Sequence, residues 1–346
     1  MKQVLVILPY ANKHLELFIQ YIKKHYEVDY FIHGSADKYR KNIKNNAIEI
    51  HSLDYYSTCK NLLNKKYVIV FTHGIFYPYL FFLHLVSRAT IVILSEGFTQ
   101  NFNTGLKGFI KRLHINQLSR RNNINLFMLG DSSIKNQYEQ LVPNKIKYYT
   151  YGMFPSLSVL QNNKSTHQNP VKFVYAGQFI KRKNIQLILD SITQTPQFQN
   201  GEAEFTFIGE GEEFDKINSN PNVKLHNSVS KENLHIILSN ADVVVLVSSY
   251  EGWGAIVNEA CSCGCALILS RAVGAATLLF ENNVNGYFTE TSQVALSNTF
   301  KDIMQDRKKL SEMKKASADI FTKVYEEHDQ QLTDIIAQAT KFDLSK

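Results

Sequence analysis

The chain has 346 residues, 44% hydrophobic and 20% charged, which excludes a disordered polymer and leaves a soluble globular protein with enough length for about two cores. Its longest aromatic-rich run, 75–86, contains Pro78 and His84 and meets Arg88, so it is too short and too broken to span a bilayer. Net charge is +7 but uneven: residues 1–165 carry 21 Lys and Arg against 9 Asp and Glu, and the remainder 17 against 22, so the first half is the one expected to meet an anionic partner.

The apolar run Val4–Leu8, ended by Pro9, reads as a first strand and not as a secretory leader. Leu15–Lys24 has helical apolar spacing, and Val28–His33, Val68–Phe71, Ile91–Leu94 and Leu126–Leu129 read as strands, with a short one at Ala47–His51. Tyr77–Ser87 reads as a buried helix and Gly108–Arg121 as a basic one, while Asp131-Ser132-Ser133 supplies an N-cap for the next. Strands alternating with helices predict a parallel sheet covered on both faces. His73 and Glu96 follow successive strands, at the carboxyl ends where such sheets bind ligands.

Residues 155–170 are polar with a proline at each end and read as a linker. Beyond it the alternation repeats. Strands are expected at Lys172–Ala176, Glu204–Ile208, Val223–His226, Val243–Val247 and Ala266–Ser270. Helices are expected at Ile185–Thr193, Glu212–Asn218, Lys231–Ser239, Ala255–Cys263 and Ala276–Glu281, and 293–346 is helical and charged. Cys261, Cys263 and Cys265 alternate without a nearby histidine to complete a zinc site, and Cys59 stands apart, so reduced, buried thiols in a cytoplasmic compartment are expected.

Chemistry concentrates where the strands of the second half end. Gly177 is followed by Lys181, Arg182 and Lys183, and Asn184 is placed to cap the helix behind them. Cations beside a helix N-terminus suit a diphosphate. Gly209 and Gly211 follow the next strand, and His226 ends the one after; a short Gly-x-Gly alone is weak evidence for a nucleotide. The apolar strand 243–247 leads into Glu251-Gly252-Trp253-Gly254-Ala255 and a helix carrying Glu259. A Gly-rich turn that opens a helix exposes backbone N–H groups to an anion. If Ala255 opens that helix, Glu259 lies one turn along it, facing the cleft that holds the turn.

Glu251 and Glu259 in this strand–turn–helix setting, the stretch Ser270-Arg-Ala-Val-Gly-Ala-Ala276, and Glu281-Asn-Asn-Val-Asn-Gly-Tyr287 together resemble retaining glycosyltransferases of the GT-B fold, family 4 (glycosyltransferases group 1). The resemblance implies two Rossmann-like doubly wound domains facing across a cleft: 1–160 for the acceptor, 171–325 for the donor, and a C-terminal helix, 326–346, crossing back to the first. It implies that Lys183 holds the donor diphosphate. The family's arginine position is Gln178 here, so Arg182 or Lys181 replaces the missing charge. Gly209 lies near the donor, and His226 is either a neighbour of the nucleobase or a surface residue. Glu251 sits by the transferred sugar, with the amides of Trp253, Gly254 and Ala255 facing sugar or phosphate, and Glu259 holds the ribose hydroxyls. Trp253 itself is a packing residue. Ser95-Glu96-Gly97 resembles a pattern from one branch of the family, so Glu96 is either a general base for the acceptor or a holder of the donor sugar, and His73 contacts the sugar. The family's Gly-Gly loop after the first strand is replaced by Pro9-Tyr10-Ala11-Asn12. With no Asp-x-Asp at a strand end, no metal cofactor is expected.

The activity implied is retaining transfer of a hexose from a nucleotide diphosphate sugar, with uridine or guanosine as base, to a glycan or lipid-linked acceptor in bacterial surface polysaccharide synthesis. A sugar-nucleotide epimerase or phosphorylase on the same fold, or a silent binding module, is the alternative. The segment 105–121 places Leu106, Phe109, Ile110, Leu113 and Leu118 near helical spacing among Lys107, Lys111, Arg112, Arg120 and Arg121. It is either a helix docking on the anionic inner face of a membrane or a core-packed helix with a basic outer face. Nucleic acid is not an expected partner.

Overall fold

The computed structural model describes residues 2–8, 15–32, 55–64, 67–73, 89–97, 124–140, 146–157, 170–218 and 220–340, with isolated positions between 105 and 120. The strand expected at 47–51, the helix at 77–87, the loop 9–12 and most of the segments 105–121 and 155–170 lie outside the described residues. The chain divides into two compact units, residues 1–156 with 328–346, and residues 157–327.

The first unit holds β1 (Gln3–Leu8), β2 (Glu27–Ile32), β3 (Ile69–His73), β4 (Thr90–Ser95), β5 (Ile124–Leu129) and β6 (Ile146–Tyr151) in one sheet of order β2-β1-β3-β4-β5-β6. Every pairing is parallel. β4 and β5 are buried along their whole length, as strands of a sheet covered on both faces must be. The helix Glu16–His25 lays Phe18, Ile19, Tyr21 and Ile22 inward, and Phe18 meets Phe71 of β3 edge-on with ring centroids 5.1 Å apart. The final helix, His328–Thr340, belongs to this unit. Tyr21 Oη and Thr333 Oγ1 are 2.7 Å apart, Tyr151 Oη and His328 Nε2 are 2.9 Å apart, and the His328 ring lies 4.5 Å from that of Phe154. Asp131 caps Ser132–Glu139 by accepting from the Ser133 amide at 2.9 Å. β6 was not expected from sequence: in Ile-Lys-Tyr-Tyr-Thr-Tyr only the two end residues are buried, so the edge strand has no apolar run to betray it.

The second unit holds β7 (Val171–Ala176), β8 (Ala203–Ile208), β9 (Val223–His226), β10 (Val243–Leu246), β11 (Ala266–Leu269) and β12 (Gly286–Phe288), in the order β12-β11-β10-β7-β8-β9. Counted from β7, this is the doubly wound order of dinucleotide-binding sheets, and the strand order reverses between β7 and β10. The three-residue β12 was also not expected; it is too short to carry a period. The core under β7 and β8 is aromatic: Phe173, Phe198, Phe205 and Phe300 are all buried, with the Phe173 and Phe205 rings stacked 6.2 Å apart. Truncating such a residue costs about 3–5 kcal/mol. Cys261, Cys263 and Cys265 are free, buried thiols; burial pushes Cys261 up to about 12 and Cys263 up to about 11, so both stay protonated.

Candidate active site

β7 and β10 are hydrogen-bonded neighbours, so the loops that leave their carboxyl ends start side by side at the point of strand-order reversal. The loop after β7 turns through Lys181–Lys183 as one turn of 3₁₀-helix before the helix Ile185–Thr193. Between them Asn184 is held at φ 57°, a left-handed conformation that Asn tolerates better than most residues. It was expected to cap the helix through its side chain, and it does not. The left-handed turn sends its amide instead to the Val247 carbonyl, at 2.8 Å. A second stitch runs from the Ser249 amide to the Arg182 carbonyl, also 2.8 Å. The two loops are therefore fixed to each other by one side-chain-to-backbone and one backbone-to-backbone hydrogen bond.

That stitching brings Lys183 and Glu251 together. Lys183 Nζ sits on Glu251 Oε2. Arg182 Nη1 donates to the same oxygen at 3.2 Å and to the Tyr250 carbonyl at 2.8 Å, and Ser248 Oγ donates to it at 3.1 Å. The side chains of Lys183 and Glu251 are only 9% and 10% exposed, while Arg182 is 38% exposed. Removing one member of so buried a pair ordinarily costs about 3–5 kcal/mol, because the other charge is left in a poor medium. Beneath the loop, Tyr175 Oη donates to the Gln178 carbonyl at 2.8 Å, and burial, then the Glu251 charge, raise its pKa well above the usual phenol value. Of the two cations offered for the missing arginine, it is Arg182 that joins Glu251; Lys181 meets Glu212 only through its backbone amide, at 3.4 Å.

The glycines after β8 serve backbone packing. A Cβ on Gly209 would overlap the Gly177 carbonyl, and one on Gly211 would overlap the Phe179 backbone. Phe179 N–H donates to the Glu210 carbonyl at 2.9 Å, and Gly177 N–H to the Ile208 carbonyl at 2.9 Å, so the loops after β7 and β8 run pressed together. His226, at the end of β9, is exposed and accepts the Gly209 N–H at its carbonyl, 3.0 Å away.

Glu251 pairs with Val273 as an isolated bridge, and the turn behind it is buried through Gly252, Trp253 and Gly254. Gly254 takes φ 88°, and a Cβ there would press within 2.9 Å of Leu246 Cδ2, so only glycine fits. Ala255 is half-buried and precedes the helix Ile256–Ser262, shorter than the expected Ala255–Cys263. Glu259 is buried on that helix, and its charge is felt by the Cys263 thiol and the Tyr325 phenol. Trp253 is buried and its Nε1 donates to Asn258 Oδ1 at 2.8 Å; Asn258 Nδ2 donates to Tyr325 Oη at 3.0 Å. Ser248, Asn258 and Tyr325 were not singled out from sequence. The only signal available was position: Ser248 directly follows a buried strand, and Asn258 is a polar residue on a buried helix face.

In the first unit, His73 ends β3 opposite Leu94, and Glu96 lies two residues beyond that partner. Both therefore stand at the carboxyl ends of neighbouring strands. Burial lowers the His73 pKa to about 4, so its imidazole is neutral near pH 7. Glu96 is half-buried; it follows Ser95, whose Oγ accepts the Gly97 N–H at 3.1 Å. Among the described residues no group of three His, Cys, Asp or Glu side chains is gathered as a metal ion would need.

Residues 160–319 match the sequence profile of the family described as Glycosyl transferases group 1. No curated protein sequence matches the chain. Among solved structures, Anabaena Alr3699/HepE in complex with UDP aligns at TM-score 0.73 and 14% identity over 98% of this chain and 100% of that one. The same protein in complex with UDP-glucose gives 0.69 and 14%, over 96% and 99%. Sucrose-phosphate synthase from Thermosynechococcus elongatus gives 0.68 and 14%, over 100% of both chains. The paired parallel six-stranded sheets are thus those of GT-B glycosyltransferases, and with residues 160–319 forming a glycosyl transferases group 1 domain the chain is a glycosyltransferase.

Proposed function

We propose that the chain transfers a hexose, with retention of configuration, from a uridine diphosphate sugar to a hydroxyl of a lipid-linked glycan in surface polysaccharide assembly. The observation that carries this reading is the meeting of Lys183, Arg182 and Glu251 beside a buried Gly-rich turn at the strand-order reversal. Two cations there suit a diphosphate, and a carboxylate beside them suits the hydroxyls of the sugar it carries. UDP and UDP-glucose in the Anabaena structures support uridine as the base.

In this reading Lys183 and Arg182 stabilise charge on the leaving diphosphate, so no metal cofactor is required. Glu251 orients the sugar, Glu259 the ribose, and His226 neighbours the base. At neutral pH His73 serves as an uncharged hydrogen-bonding group, and Glu96, at the end of the neighbouring strand, takes the acceptor's proton. The membrane-facing element is the segment 105–121. Phe109, Ile110 and Leu113 are exposed, 57%, 45% and 50%, in a half rich in basic residues, which supports peripheral docking on an anionic cytoplasmic face. Among the described residues no helix is long and apolar enough to cross a membrane.

The test is incubation with UDP-hexoses and a lipid-linked acceptor, reading the product's anomeric configuration by NMR. A product with the donor's configuration is expected; an inverted one rejects the mechanism. Phosphate-dependent donor cleavage without acceptor would favour a phosphorylase instead.

A further inference from the structure

Three donors converge on a single oxygen, Glu251 Oε2: Lys183 Nζ, Arg182 Nη1 and Ser248 Oγ. These are the same two cations that the functional reading assigns to the donor's diphosphate. Lys183 is too deeply buried to stand without an anion, since an unpaired ammonium there would be strongly penalised. The backbone on which the cations sit is fixed by the Asn184–Val247 and Ser249–Arg182 hydrogen bonds. What can exchange, then, is the anion and not the cation.

We propose that Glu251 is a built-in counter-anion: it holds Lys183 and Arg182 in the place of the donor's diphosphate, yields them when the donor arrives, and takes them back as the nucleoside diphosphate leaves. The proposal rests on the nucleotide-sugar reading above. The charge arithmetic favours it. Gln178 contributes no charge, so the cluster holds two cations and one carboxylate, a net single positive charge, against the roughly two negative charges of a diphosphate. A fixed carboxylate beside the phosphates therefore opposes their binding. That opposition weakens the grip on the leaving product, which speeds release, a step that limits many enzymes. Glu251 thereby acts on product release as well as on the sugar.

The experiment is calorimetric titration of UDP, and of uridine as an uncharged control, into the full chain and its Glu251→Gln variant. The variant is expected to bind UDP on the order of tenfold more tightly, the consequence of removing one opposing charge, with uridine affinity unchanged. Unliganded, it should melt at a lower temperature than the wild type, yet gain more from saturating UDP. A milder variant, Ser248→Ala, keeps every charge and frees Glu251 from one anchor; it should tighten UDP about twofold to threefold. Equal or weaker UDP binding in both variants overturns the proposal, as does an equal gain for uridine. If the wild type binds neither UDP nor GDP, the nucleotide reading fails first, and the proposal with it.

Discussion

The side-chain amide of Asn184 donates to the carbonyl of Val247 at 2.8 Å. The two residues are 63 positions apart in sequence, and their bond ties the loop after β7 to the end of β10. It fixes where Lys183, one residue earlier, can reach. Asn184→Ala should loosen that placement without removing a charge. Its expected signature is a loss of about 1 kcal/mol in stability, for one part-buried hydrogen bond, with a modest rise in the Kd for UDP. An unchanged melting curve together with unchanged UDP affinity would show that the stitch does not position the lysine.

Lys183→Ala should weaken UDP binding by about 1.5–3 kcal/mol, the value of a charge-assisted phosphate contact. The fold should survive, because Glu251 keeps Arg182 and Ser248 as partners. Calorimetry on the folded variant decides: wild-type affinity removes Lys183 from the diphosphate site.

Arg182 and Lys181 should part company. Arg182→Gln is expected to raise the Kd for UDP roughly tenfold, whereas Lys181→Gln should change it less than twofold, since only Arg182 joins Glu251. A larger loss from the Lys181 variant would move the second phosphate cation to that position.

Glu259→Gln should act mainly on nucleotide binding and KM, and Glu251→Gln mainly on kcat, by about two orders of magnitude. Steady-state kinetics with the best UDP-hexose is the check, and wild-type values for both variants would dismiss the pair.

His73 gives a pH dependence with a definite sign. Its folded pKa, about 4, lies below the unfolded value near 6.5, because burial disfavours the charged ring. Above pH 6.5 both states are neutral there and the group is silent. As pH falls from 6.5 to 4 the unfolded chain takes up a proton that the folded one refuses, so stability drops by as much as about 3 kcal/mol. Replacing His73 with Gln should flatten that part of the stability–pH curve, and an unaltered curve would assign the acid loss to other groups.

β7, β8, β10 and β11 were legible because each is a short, largely apolar run closed by glycine or by a polar residue, and Lys183, Glu251 and Glu259 drew notice because they lie in the loop or helix that follows such a run. Their mutual arrangement was not legible. That Lys183 and Glu251 meet depends on β7 lying beside β10, a neighbourhood set by the winding of the sheet and not by anything local. Nor could Asn184 be placed: an asparagine ahead of a helix reads as a cap, and only its own left-handed conformation redirects the amide. The same holds for Gly209 and Gly211, whose spacing is weak evidence for a nucleotide and says nothing of how their backbones are pressed against Gly177 and Phe179. Edge strands such as β6 hide for the opposite reason, since half-exposed positions relax the demand for apolar side chains.

Trp253 is the only tryptophan in the chain, and it sits 2% exposed within the turn between Glu251 and Glu259, its indole N–H bound to Asn258. The protein thus carries its own optical probe where the donor is expected. Emission excited at the red edge of protein absorption comes from that one ring, starts blue-shifted in its dry pocket, and changes in intensity or wavelength with any rearrangement of the turn. Stopped-flow fluorescence on the unmodified protein can then time the arrival of UDP and the departure of product, without a label and without a coupled assay.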